Sequence, residues 1–200
     1  MIKYIIASIV GVGAYLTFPL IPVTYVVSLR GPMIEHRYIL STALAIADEN
    51  DTVVIEINSP GGYAHEGYYL ANKVEECKGT VIAINSSRTS SAAALVAFSA
   101  DQLVIKKHSL FLLHMPYIIG PHGSRLVNKE GADYTIMKQH LEEKVFKYLT
   151  KYEVDYILEG GDIQLTGPEM QKRINKVRAK EWVKSLKSPP KSSGLMGIGK

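Results

Sequence analysis

An apolar strand that runs straight into a Pro-Gly-Gly turn constrains this chain more than any other feature. Asp51-Thr-Val-Val-Ile-Glu-Ile-Asn58 leads into Ser59-Pro-Gly-Gly62; Ser91 follows 29 residues after Gly62, and His114 follows 23 residues after Ser91. A di-glycine turn at a strand end can aim a backbone N–H at a reacting carbonyl, and a serine and a histidine supply a nucleophile and its base. These are the parts of a serine hydrolase. They require a scaffold that brings three distant segments together.

The surrounding pattern describes such a scaffold. Residues 36–50 read as a helix, with Ile39, Leu40, Leu44 and Ile46 among alanines before the polar break Asp48-Glu-Asn-Asp51. The 52–57 strand is apolar apart from Glu56, which suits a parallel sheet covered on both faces. A helix follows over about 64–77, then a buried strand at Val81-Ile-Ala-Ile84, then a small-residue helix over Ser90–Asp101 with Ser91 near its start. Leu103-Val-Ile105 and Leu110-Phe-Leu-Leu113 are short strands, and the second delivers His114. Repeated strand–helix alternation implies an α/β fold of βαβ units. Pro116 to Ser124 reads as a loop, and Asp133 to about Tyr152 as one longer amphipathic helix.

Composition narrows the remaining classes. A chain of 200 residues with 46% hydrophobic content can bury one substantial core. The single Cys77 excludes an intramolecular disulfide, the six histidines show no metal-ligand spacing, and no cofactor motif is present. The net charge of +4 is concentrated near the C-terminus without interleaved aromatics, which reads as a solvated helix and tail rather than a nucleic-acid surface. From Tyr4 to Leu29 no residue is charged, after a lone Lys3. Residues 1–22 are expected to be a single-pass membrane anchor; the alternatives are a signal cleaved near Val12-Gly-Ala14 and an apolar segment packed on this protein or a neighbour. The folded domain is expected over 23–180, and residues 181–200 as a basic flexible tail.

Together, Ile57-Asn-Ser-Pro-Gly-Gly62, the Ser91 helix ending in Ala100-Asp101, Leu112-Leu-His-Met-Pro116 and the upstream Val26-Val-Ser-Leu-Arg-Gly-Pro-Met-Ile34 resemble the Clp protease proteolytic subunit family over roughly residues 23–177. The resemblance implies the ClpP/crotonase-like fold, with a protruding helical handle after His114 that joins subunit rings, and peptide-bond hydrolysis in a ring-like homo-oligomer acting on polypeptides. It also brings in an ATPase unfoldase as a partner, which no motif here specifies. Membrane association is the expected location; the cytoplasm or a virion are the alternatives.

The same resemblance assigns roles at the site. Ser91 is the nucleophile and His114 the base. The N–H groups of Gly62 and Ala92 form the oxyanion hole, and Gly61, Gly62 and Tyr63 present backbone to an extended peptide. The third, orienting position is expected after the helix that begins near Leu165-Thr-Gly-Pro-Glu-Met170, where this chain has Asn175; Asp162, just before that helix, is assigned a supporting role. Three rivals stay open. One is a membrane peptidase of the signal-peptide-peptidase type with a Ser-Lys pair, and another is a catalytically weak scaffold of the same fold, possible because asparagine cannot stabilise imidazolium as a carboxylate does. The third is a crotonase acting on acyl-CoA.

Overall fold

A computed structural model of the chain describes residues 21–34, 37–120, 123–126 and 128–187. The expected anchor, except for its last two residues, and the end of the expected tail lie outside these. The described part opens with three strand–helix units: β1 (Thr24–Arg30), α1 (Arg37–Ile46), β2 (Thr52–Ser59), α2 (Ala64–Glu76), β3 (Thr80–Ser90) and α3 (Ala92–Ser99). β4 (Gln102–Ile105) and β5 (Leu110–Leu113) follow, and later β8 (Ile163–Thr166) completes the main sheet. The sheet order is β1-β2-β3-β5-β8, with β4 beside the first half of β3 and β5 beside its second half. All pairings are parallel except β5 with β8.

Two aspartates, Asp51 buried and Asp101 exposed, fix where strands begin. Asp51 accepts from the N–H of Val23 (2.8 Å) and of Asp48 (3.1 Å), and Asp101 accepts from the Val81 N–H (2.7 Å). Each closes a strand entry that would otherwise leave a donor unpaired.

Burial alternates along the first three strands, so among the described residues the sheet is covered on one face, not on both as expected. Val53, Ile55 and Ile57 are fully buried beneath the helices, while Val54 and Glu56 are half-buried on the opposite face. Val26 and Val104 on that side are 65% and 41% exposed. A nearly continuous apolar run signals burial on one face; here Val54 merely continues it across an open one.

Two apolar clusters make the core. One joins Leu29, Leu40, Leu44, Val53, Ile55, Leu70 and Val81; the other joins Leu95, Phe111, Leu113, Met137, Leu141, Ile157 and Met170. α3 contributes to both, and every residue from Ala92 to Ala97 is buried. Its small side chains let it sit between the clusters as a shared wall, and Ser91 stands at its N-terminal end.

After His114 the structure differs from the sequence expectation. The stretch read as a loop forms an antiparallel hairpin, β6 (Tyr117–Gly120) with β7 (Gly123–Leu126). The single long helix is interrupted: α4 (Ala132–Lys144) ends, a 3-10 turn covers Phe146–Tyr148, and α5 (Lys151–Leu158) begins afresh. The restart has a local cause. Thr150 caps α5, its hydroxyl accepting from the Glu153 N–H while the Glu153 carboxylate accepts from the Thr150 N–H, a reciprocal capping box. α6 (Gly167–Lys187) extends into the stretch expected as a tail.

Candidate active site

Ser91 occupies the turn from β3 into α3 with φ 53° and ψ −126°, and among the described residues it is the one non-glycine with positive φ. Such a conformation costs on the order of 1–3 kcal/mol and persists only where neighbours impose it. Here they are identifiable. The Ser91 N–H donates to the Leu112 carbonyl on β5 (2.8 Å), and the Ser91 carbonyl accepts from the Ala94 N–H (2.9 Å). Gly61, itself at φ +89°, lies so close that an added Cβ would stand 2.6 Å from the Ser90 carbonyl oxygen and 2.8 Å from the Ser91 Cβ. The turn after β2 and the turn after β3 therefore brace each other. The 29-residue spacing reflects that contact between neighbouring parallel strands.

The Ala92 N–H belongs to the first turn of α3, where no helical carbonyl is available and the helix dipole favours negative charge. Gly62 forms a parallel bridge with Met33, in which the Met33 N–H donates to the Gly61 carbonyl (2.8 Å) and leaves the Gly62 N–H out of that bond. A Cβ on Gly62 would come within 2.7 Å of the Met33 backbone, so a side chain there would pry the bridge apart. Tyr63, the residue before α2, is exposed and stacks on His65. Gly61, Gly62 and Tyr63 thus form one backbone stretch beside the serine turn.

His114 lines the same small cavity as Ser91, together with Ala64, Tyr68, Ala92, Leu95, Pro116 and Leu141. The space is about 20 Å³, room for about one water. No lysine lines it. The ring's Nδ1 lies 2.7 Å from the Met115 carbonyl. A carbonyl can only accept, so Nδ1 carries the proton and Nε2 is left as the acceptor, the tautomer a general base needs. The ring also stacks on Tyr117, centroids 5.0 Å apart and 21° between planes.

Asn175 is not part of this arrangement. It sits on the exposed side of α6, and its Oδ1 accepts from Gln171 Nε2 one turn away (2.9 Å). The residue that sheet geometry brings toward His114 is Asp162. β5 and β8 pair antiparallel from Leu110 opposite Thr166 to Leu113 opposite Ile163. The pairing ends there; carried one residue past Leu113 and Ile163, the same register would set His114 opposite Asp162. Asp162 Oδ1 accepts from the Tyr117 hydroxyl (2.9 Å), which also lies 3.2 Å from the Gly160 carbonyl. Burial, reinforced by the Asp162 carboxylate, raises the Tyr117 phenol above its usual range, so at neutral pH it is a donor. Among the described residues no group of three His, Cys, Asp or Glu is placed to hold a metal, and no helix is long and apolar enough to cross a membrane.

The profile of the Clp protease family matches residues 34–163, well over half of the chain. This chain belongs to the Clp protease family. Among solved structures, ClpP1 from Listeria monocytogenes is similar at 17% identity and a TM-score of 0.57, over 74% of this chain and 86% of that one. The ClpP protease catalytic domain from Plasmodium falciparum is similar at 16% identity and a TM-score of 0.54, over 74% and 80%. The 1510-N membrane-bound stomatin-specific protease, as a lysine-to-alanine mutant in complex with a substrate peptide, is similar at 16% identity and a TM-score of 0.59, over 76% and 72%. No curated protein matches in sequence. At these identities the structural likeness speaks for the fold of this Clp-family chain.

Proposed function

We propose that the protein is a serine endopeptidase. The observation that carries the reading is the shared cavity: a serine held at a strained strand-to-helix turn lines it together with a histidine whose Nε2 is free to accept. Ser91 Oγ attacks the peptide carbonyl while His114 Nε2 takes its proton, later returned to the leaving amine. The N–H groups of Gly62 and Ala92 hold the oxyanion, and an extended peptide runs along Gly61–Tyr63. Asp162, not Asn175, supplies the charge that stabilises the imidazolium. The cavity's lack of lysine argues against a Ser-Lys mechanism.

The active form in this reading is a homo-oligomer. The open sheet face with Val26 and Val104, and the outer side of α1 with Tyr38, Ile39 and Ile46, expose apolar side chains that a second copy would cover. A fluorophosphonate probe with light scattering tests both parts. The wild-type chain is expected to label in an assembly larger than a monomer, and Ser91→Ala to lose labelling and peptide hydrolysis while keeping the assembly. Undiminished labelling of Ser91→Ala would assign the nucleophile elsewhere, and an unlabelled wild type would favour a scaffold.

A further inference from the structure

Tyr117 stands between the two groups that the sheet register, carried one residue on, would set opposite each other. Its ring covers His114, and its hydroxyl donates to Asp162 Oδ1. The imidazole meanwhile gives its Nδ1 proton to the Met115 carbonyl. Each member of the expected pair is engaged by a different partner. A carbonyl fixes the correct tautomer but has no net charge to stabilise an imidazolium; a carboxylate does both. The arrangement is therefore right in tautomer and weak in charge.

We propose that Tyr117 is a positioning residue whose hydroxyl competes with His114 for Asp162 and so sets how often the site is fully coupled. The inference rests on the reading of Ser91, His114 and Asp162 given above. Coupling requires the Nδ1 proton to turn from the Met115 carbonyl to the Asp162 carboxylate, an exchange of hydrogen-bond partners with no covalent change. The Tyr117 hydroxyl holds that carboxylate, with the Gly160 carbonyl as a second anchor 3.2 Å away. Tyr117 is also the first residue of β6, so movement of the β6–β7 hairpin can reach Asp162 through this side chain. The hairpin thereby becomes an element through which assembly or substrate can alter the catalytic rate.

Tyr117→Phe keeps the ring over His114 and removes the hydroxyl. With fluorescently labelled casein, the expected result is a rise in kcat of about 3- to 10-fold, the worth of one modest hydrogen bond, with KM within about twofold. The Tyr117→Phe/Asp162→Asn double variant should be no faster than Asp162→Asn, because the gain passes through the carboxylate. The His114 Nδ1 proton resonance should move downfield in Tyr117→Phe, a signature that a purely structural role would not produce. A rate that stays the same or falls in Tyr117→Phe overturns the inference, as does a gain that survives in the double variant. Unchanged kcat in Asp162→Asn alone removes the assignment of Asp162 as well; a slow Asp162→Asn beside an unaccelerated Tyr117→Phe removes Tyr117 alone.

Discussion

Replacing Glu153 by glutamine tests the contact that ties α5 to α6 across the segment carrying Asp162. Arg173 grips Glu153 with two hydrogen bonds, Nη1 to Oε2 at 2.7 Å and Nη2 to Oε1 at 2.8 Å, and 16% of the Glu153 side chain and 27% of the Arg173 side chain remain exposed. Arg173 also reaches the Tyr148 carbonyl (3.3 Å), while Glu153 closes the capping box with Thr150. The arginine bonds first, then those from Thr150, hold the Glu153 carboxyl at about 2 against an ordinary 4.5, despite the opposing effect of burial. At about 1.4 kcal/mol per pKa unit, that gap corresponds to roughly 3 kcal/mol at neutral pH. The raised pKa of Arg173 expresses the same contact and adds nothing further. Because the folded value lies below the unfolded one, the stabilisation is complete above pH 4.5 and drains away as pH falls toward 2. Glutamine keeps the cap and one neutral hydrogen bond, so Glu153→Gln should cost about 2 kcal/mol at pH 7 and under about 1 kcal/mol at pH 2.5. Urea unfolding at both pH values, at one fixed protein concentration, measures the difference. A deficit that does not change with pH, or one within about 0.5 kcal/mol at pH 7, would refute the reasoning.

The site itself yields two further tests. Asn175→Ala and Asn175→Asp should leave kcat within about twofold, since that side chain bonds only to its own helix, whereas Asp162→Asn should lower kcat by about 100-fold or more; steady-state peptide hydrolysis separates them, and the reverse ranking would restore Asn175. Gly61→Ala forces a side chain to φ +89° against the Ser90 carbonyl, so it should destabilise by about 2–4 kcal/mol and abolish fluorophosphonate labelling, whereas a stable, fully labelled variant would show that the two turns do not brace each other.

Much of the fold up to His114 was legible because its signals are local. Apolar runs, the Asp48–Asp51 break and the Pro-Gly-Gly turn each act within a few residues, and the helices and strands lie close to where these place them. The interruption before α5 was also written locally, as Thr150-x-x-Glu153, but a continuing apolar stripe masked it; Thr166-x-x-Glu169 repeats the device at the start of α6, with the Glu169 carboxylate accepting from the Thr166 N–H (2.8 Å). The open face of the sheet was harder to read, because Val54 and Glu56 look the same in sequence whether or not a helix covers them.

The residue proposed for the third position, Asp162, was hidden for a different reason. Counting residues along α6 leads to Asn175, because a helix preserves sequence distance. The pairing of β8 against β5 does not preserve it: an antiparallel contact between strands about fifty residues apart sets Ile163 opposite Leu113, one residue short of Asp162 and His114. Nothing in residues 162–166 announces which strand they will join. What settles their partner is the burial of Leu165 beside Phe111 and Leu113 in the second core. In the proposed site, the charge available to the base is thus set by a hydrophobic choice made three residues from the carboxylate. Leu165→Asp should therefore depress activity as strongly as Asp162→Asn while also destabilising the fold.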